Sequence, residues 1–335
     1  MKGKGQSSLK WLGWTGLSII GISEGLLFSG VPFVLIYFTP LVWTGYIFFV
    51  DSLVYRSKGT SLIFNRPAEF VIMLPLSVGF WLVFEFYNLY IKNWHYIGLP
   101  EDLFLRWIGY AWAFATIWPA ILETAEALEN SLFIGQQKIK PLPIKNRLLI
   151  GSHPETPSPL AGEGRGEGDE NRKHKYSGPL SPPPCPSPIK GEGKTWVPGW
   201  ILIGSLGFGS FCLILPLLVS AGLAQYLAAP VWLGFIFFLE PLNYWLKGKS
   251  LLRDWERGNP QVLYTLLISG FICGGLWEFW NYWAGAKWHY TVPILSDVKI
   301  FEMPILGYFG FPPFAVECYV MYAFIGNIFA RKSNS

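Results

Sequence analysis

Charged side chains are few in this chain. Asp, Glu, Lys and Arg make up 14% of its 335 residues, against about 25% in a soluble domain. From Thr195 to Leu239 there is no charge at all. That run is roughly twice the ~20 apolar residues needed for one membrane helix, so it excludes a soluble core helix and predicts two spans divided near Ala221–Pro230. Cysteine is equally sparse. Cys185, Cys212, Cys273 and Cys318 show no spacing suited to a disulfide framework or a zinc site, and the last three sit in apolar runs as small apolar side chains. The net charge of +4 does not indicate a nucleic-acid surface. Residues 136–198 hold 10 basic and 6 acidic side chains, which leaves 16 of each sign elsewhere (26 − 10 and 22 − 6). The excess therefore belongs to that central segment.

What the chain does have is long apolar sequence, in two matching sets. Runs at about 11–30, 32–55, 68–92 and 106–130 are followed by runs at about 199–221, 229–246, 262–284 and 304–329. The spacing predicts an all-α integral membrane protein of eight transmembrane helices, arranged as two parallel four-helix repeats. The repeats span 1–135 and 198–335. Landmarks recur in the same order. Gly45-Tyr-Ile-Phe-Phe-Val-Asp51 matches Gly234-Phe-Ile-Phe-Phe-Leu-Glu240, Lys58-Gly-Thr-Ser-Leu62 matches Lys247-Gly-Lys-Ser-Leu251, and Pro119-Ala-Ile-Leu-Glu123 matches Pro313-Phe-Ala-Val-Glu317. Lys2, Lys4 and Lys10 precede the first run, which lacks a small-x-small cleavage site and reads as an uncleaved helix. Basic residues in alternate loops, from Arg56 to Arg66 and from Lys247 to Arg257, predict a multi-pass protein of the bacterial inner membrane with both termini cytoplasmic.

Residues 136–197 differ in kind. They are rich in Gly, Pro, Ser and charge, and they repeat Pro157-Ser-Pro-Leu-Ala-Gly-Glu-Gly164 as Pro186-Ser-Pro-Ile-Lys-Gly-Glu-Gly193. This reads as a disordered cytoplasmic linker with no assigned function. Two of the four histidines, His153 and His174, fall in it, leaving His95 and His289 in the folded part.

Those histidines belong to the most informative motif. Glu85-Phe-Tyr-Asn88 is followed by Trp94-His95-Tyr96, and Glu278-Phe-Trp-Asn281 by Trp288-His289-Tyr290. Glu and Asn three apart share a helix face. A carboxylate deep in an apolar helix is costly and normally faces the bundle interior or a water-filled cavity. The expectation is a Glu, an Asn and a His held together in each half. They would either donate and accept protons or hydrogen-bond one another to lock helices. The flanking Trp94, Tyr96, Trp288 and Tyr290 also fit an aromatic belt at the membrane interface. Asp51 and Glu240, near helix ends, fit solvated termini. Glu317 is the sole charge between Met303 and Ala330, which predicts an interior position for it. Gly270-Phe-Ile-Cys-Gly274 reads as a small-residue face for close helix packing. One His and one Glu per half is a thin ligand set, so no metal is expected, and no cofactor motif is present.

From Glu278 through Trp288-His289-Tyr290 to Phe301-Glu302-Met303-Pro304-Ile305-Leu306-Gly307, the second half resembles the membrane-integral lycopene cyclase domain of carotenoid synthesis. Glu85 and Glu278 match the family's acidic position, the two Trp-His-Tyr segments match its aromatic cluster, and Pro304 its proline. Ile305 and Leu306 stand where the family has paired glutamates, with Glu302 across the proline. The resemblance implies an intramolecular lyase or isomerase acting on a prenyl-type lipid. Glu85, Glu278, His95, His289, Glu302 and Glu317 are then the catalytic candidates. Asn88, Asn281, Trp94, Tyr96, Trp288, Tyr290 and Glu123 are the substrate-contacting ones. The alternatives are a proton-coupled transporter and a non-catalytic membrane component. Beyond the bilayer and an apolar isoprenoid, the sequence predicts no partner.

Overall fold

A computed structural model describes residues 9–129 and 197–333, which form one compact unit. The predicted linker, apart from Val197, lies outside the described residues. The protein is mostly helical. The first part holds α1 (Trp11–Phe28), α2 (Pro32–Lys58), the short α3 (Leu62–Asn65), α4 (Pro67–Ile91), strand β1 (Trp94–Ile97), α5 (Leu103–Ala115) and α6 (Ile117–Glu129). The second holds α7 (Gly199–Leu218), the short α8 (Ala221–Ala224), α9 (Ala228–Trp245), α10 (Leu251–Glu256), α11 (Gln261–Trp283), strands β2 (Lys287–Tyr290), β3 (Lys299–Ile300) and β4 (Met303–Pro304), a 3-10 helix (Ile305–Gly310) and α12 (Phe311–Ser333).

Each of the eight apolar runs contains helix. Among the described residues, six stretches are long and apolar enough to cross a membrane: α1, α2, α4, α7, α11 and Ile305–Arg331. The other two runs fall short for identifiable reasons. In α9 the last two turns carry Glu240, Pro241 and Asn243. The run beginning near 106 is broken at Thr116 into two 13-residue helices. Pro119 causes that break: it lacks an N–H, and its ring would clash with the carbonyl four residues back. Ser77 fills the gap. Its hydroxyl donates to Phe114 O (2.6 Å) and accepts from Trp118 N (3.1 Å), standing between the two groups that an unbroken helix would pair directly.

Packing is closest where side chains vanish. α1 lies on α2 and α7 on α9. A Cβ on Gly45 would stand 2.7 Å from Gly16 O, and one on Gly209 would stand 2.8 Å from Gly234 O, so glycine at these crossings is a steric requirement. Gly270 and Gly274 do the same for α11, where Phe311 and Pro312 at the start of α12 approach them. The aromatic core joins α2 to α11 and α4 to α9. Trp43 meets Trp277 with ring centroids 5.0 Å apart, and Phe84 meets Trp232 at 4.9 Å. Tyr46 meets Trp280 at 6.1 Å, and Tyr87 meets Phe235 at 6.2 Å.

Asp51 and Glu240 are buried rather than solvated. The short helices α3 and α10 fold back over them. Asp51 accepts from Ser61 Oγ (2.9 Å) and Ile63 N (2.8 Å); Glu240 accepts from Ser250 Oγ (2.6 Å) and Leu252 N (2.9 Å). Each carboxylate thus satisfies first-turn amides of a helix that would otherwise be orphaned.

Candidate functional site

The site is built where α4 and α11 end. Lys92 takes a left-handed conformation (φ 52°) and stops α4. Asn88 then turns the chain. Its Oδ1 accepts from Asn93 N (2.9 Å) and Trp94 N (3.3 Å), and its Nδ2 donates to Trp94 O (2.8 Å). Asn281 does the same, accepting from Trp288 N (3.0 Å) and donating to Trp288 O (2.9 Å). Both amides are spent on the backbone at the start of a strand, which places them behind the site as positioning residues.

The strands so launched pair with each other. β1 and β2 are antiparallel, with Trp94 opposite Tyr290, His95 opposite His289 and Tyr96 opposite Trp288. Thr291 extends the ladder, donating from its N to Asn93 O (2.8 Å). Gly98 closes the other end with φ +66°, against the Gly285 backbone.

Successive strand residues face opposite ways. Trp94 and Tyr96 therefore share one face and His95 takes the other, and β2 divides its side chains likewise. The inward face meets the glutamates. Glu85 Oε1 accepts from Trp81 Nε1 (2.8 Å), Trp94 Nε1 (3.1 Å) and Tyr96 Oη (2.6 Å). In the second half the bonds run in series: Trp288 Nε1 donates to Tyr290 Oη (2.8 Å), and Tyr290 donates to Glu278 Oε1 (2.8 Å). Glu278 is fully buried and its Oε2 has no hydrogen-bond partner among the described residues. Burial, and after it the adjacent Glu85, holds the Tyr96 phenol well above its usual pKa of 10.0; burial and Glu278 do the same for Tyr290. Both phenols are neutral, donating groups at ordinary pH.

In front of these two Glu–Tyr pairs lies a cavity of about 510 Å³ lined by Tyr96, Tyr290, Trp81, Trp94 and Trp288. Its wall continues through Trp232 and Phe314, whose rings meet edge to face at 5.0 Å. The four aromatic residues of the two Trp-His-Tyr segments thus face inward, where a belt would face lipid. A cavity this apolar, with a few convergent hydroxyls, has the make-up of a small-molecule site.

The histidines stand outside it. His95 is exposed, the two rings lie 5.4 Å apart, and His289 Nε2 is 3.5 Å from Glu302 Oε2. Glu302 also pairs with Lys287 Nζ at 2.7 Å. The expected grouping of Glu, Asn and His therefore splits into three roles, with Glu facing the aromatic side, Asn on the backbone and His on the far face of the ladder. Glu123 and Glu317 are buried, and neither lines the cavity. Glu123 lies near Asp51, Glu126 and Arg66. Glu317 occupies the interior position predicted for it, and neither of its oxygens has a hydrogen-bond partner among the described residues.

Trp81, Arg106 and Tyr110 were not singled out by sequence. A signal for Trp81 exists: it precedes Glu85 by one helical turn, on the same face. Among the described residues no group of three His, Cys, Asp or Glu side chains is placed to hold a metal ion. No protein-family model, curated protein or solved structure matches the chain.

Proposed function

We propose that this is a polytopic membrane protein of two related four-helix halves, eight helices in all, whose shared cavity binds a prenyl-type lipid and moves a proton on it. The observation that carries this reading is that Glu85 and Glu278, far apart in sequence, each hold a tyrosine hydroxyl at one aromatic cavity. The duplication is supported by contacts that exchange when the halves are exchanged: Trp43–Trp277 with Phe84–Trp232, and Trp94–Tyr290 with Trp288–Tyr96. Both termini are taken as cytoplasmic from the loop charges.

In this reading one Glu–Tyr pair delivers a proton to an isoprenoid double bond. The carboxyl gives its proton to the phenol oxygen as the phenol proton passes to carbon. The cation that forms is stabilised by the faces of the surrounding indole and phenyl rings. The other pair removes a proton from a neighbouring carbon, its phenol passing a proton on to its carboxylate. The proton count closes at zero and no redox partner is needed, which suits an isomerase or cyclase. Resemblance to the lycopene cyclase domain supports a carotenoid as the lipid.

The test is expression in bacteria that accumulate lycopene. Wild type changes the pigment profile, and Glu278→Gln, which keeps an acceptor for Tyr290 but no exchangeable acid, leaves lycopene unchanged while the protein still accumulates. If wild type leaves lycopene unchanged, the carotenoid substrate is wrong. A second reading, a proton-coupled transporter, is favoured by Glu317, a buried acid with no hydrogen-bond partner among the described residues, inside a candidate spanning helix.

A further inference from the structure

The cavity is not uniform along its length. Arg106, Gly109, Tyr110, Ala113, Phe114 and Ile117 all line it. Their spacing of three, one, three, one and three is a single helical face continuing across the break at Thr116. From Arg106 to Ile117 that face runs about 16 Å, at ~1.5 Å per residue. It begins with a guanidinium and is apolar from Ala113 onward.

Arg106 is incompletely used. Its Nε and Nη2 both donate to Pro100 O, at 2.9 and 2.7 Å. Among the described residues no carboxylate lies within ion-pairing distance of it. Asp102, one turn before it, instead caps Leu105 N. Lys287, also on the wall, is neutralised by Glu302. The loop residues Leu99, Pro100 and Val292 line the cavity as well, and Arg106 is anchored to that loop through Pro100. The Glu–Tyr pair of the first half stands further along. Tyr96 packs on Tyr110, 5.2 Å between centroids, and lies 6.5 Å from Phe114.

We infer that the ligand is an amphiphile with an anionic head held by Arg106 and an apolar tail running along α5 to Ile117, so that Tyr96 and Tyr290 face the tail. This rests on the prenyl-lipid cavity of the proposed function and narrows its ligand to a prenyl chain with an acidic head, which lycopene lacks. A planar, permanently charged guanidinium suits a phosphate or a carboxylate. The deep wall, by contrast, offers aromatic and aliphatic side chains such as Trp232, Phe314 and Ile117. A neutral hydrocarbon would leave Arg106 without a counter-charge. The separation also keeps the guanidinium away from the place where positive charge would develop.

The experiment uses the full chain in nanodiscs and follows quenching of tryptophan fluorescence, since Trp81, Trp94, Trp232 and Trp288 border the cavity. The probes are farnesol, farnesyl phosphate and farnesoic acid. At least one of the two anions should bind about tenfold tighter than farnesol, the size of one charge-assisted hydrogen bond, and which anion gains more separates a phosphate head from a carboxylate head. Arg106→Gln should remove that advantage without changing farnesol binding, and Arg106→Lys should keep part of it. Equal binding of all three probes to wild type, or an advantage that survives Arg106→Gln, overturns the anionic head and leaves the lipid cavity standing. Binding of none of them overturns both.

Discussion

His95 and His289 face each other at the centre of the ladder joining the two halves, with ring centroids 5.4 Å apart. Around them Trp94 lies opposite Tyr290 and Tyr96 opposite Trp288, so the same residue types pair whichever strand is read first. A two-fold axis between the histidines would produce this arrangement, and it delivers both tyrosines to one side of the ladder. The histidines sit at the axis and the tyrosines at the cavity, which is why the sequence motif, though it names both, does not put them to the same use.

The two Glu–Tyr pairs are wired differently, and the wiring predicts unequal cost. Glu85 Oε1 has two indole donors besides Tyr96, so Tyr96→Phe leaves the carboxylate partnered. We expect a loss of about 0.5–1.5 kcal/mol, the net worth of one hydrogen bond. Tyr290→Phe removes the donor to a fully buried Glu278 and the acceptor for Trp288 together. We expect about 2–4 kcal/mol, from a buried carboxylate and a half-buried indole losing partners. Thermal unfolding of the purified proteins in one detergent ranks the variants. A Tyr96→Phe cost equal to or larger than that of Tyr290→Phe would contradict the asymmetry.

Much of this was legible in the sequence. The apolar runs mark the helices, but the fourth run reads as one span, and Pro119, which breaks it, serves only as a repeat landmark. The Glu-Phe-aromatic-Asn spacing places Glu and Asn on one helix face. The ladder was harder to see. Trp-His-Tyr alternates with period two, but four residues are too short to distinguish a strand from an interfacial belt, and the partner strand lies in the other half of the chain. For the same reason the residues alone also fit Tyr96 and Tyr290 to an interfacial belt, and only the family resemblance makes them substrate-contacting. Burial of Asp51 and Glu240 was missed because the short helices that cover them, α3 and α10, arise from loops that look only basic. Arg106 begins an apolar run, where one charge reads as a helix end; only the cavity reveals that it lies on the same face as Phe114.

Glu317 tests whether the interior acid of α12 serves stability. It is fully buried and neither oxygen is hydrogen-bonded among the described residues. A group in that situation costs free energy in either protonation state, and replacing it by an apolar side chain of similar size is neutral or stabilising when its role is elsewhere. We expect Glu317→Met to leave the melting temperature unchanged or raise it by a few degrees, an effect of about 1 kcal/mol. A fall corresponding to more than about 2 kcal/mol would show that Glu317 holds the fold together through a partner such as an internal water.

The tyrosines also set a limit at high pH. Tyr96 and Tyr290 have folded-state pKa values well above 10.0 because burial and then the neighbouring glutamates oppose the phenolate. The unfolded chain releases these protons near pH 10 while the folded chain keeps them. Above that pH the native state binds more protons than the unfolded one, so stability declines as pH rises. Below pH 10 both states hold the proton and these two groups give no slope. Denaturant midpoints measured in micelles from pH 8 to 12 should therefore be flat at first and then fall. The double variant Tyr96→Phe/Tyr290→Phe should fall less steeply above pH 10, from a lower starting stability. Identical slopes in wild type and the double variant would mean that the phenols are reached by solvent and that the cavity face of the ladder is open to water.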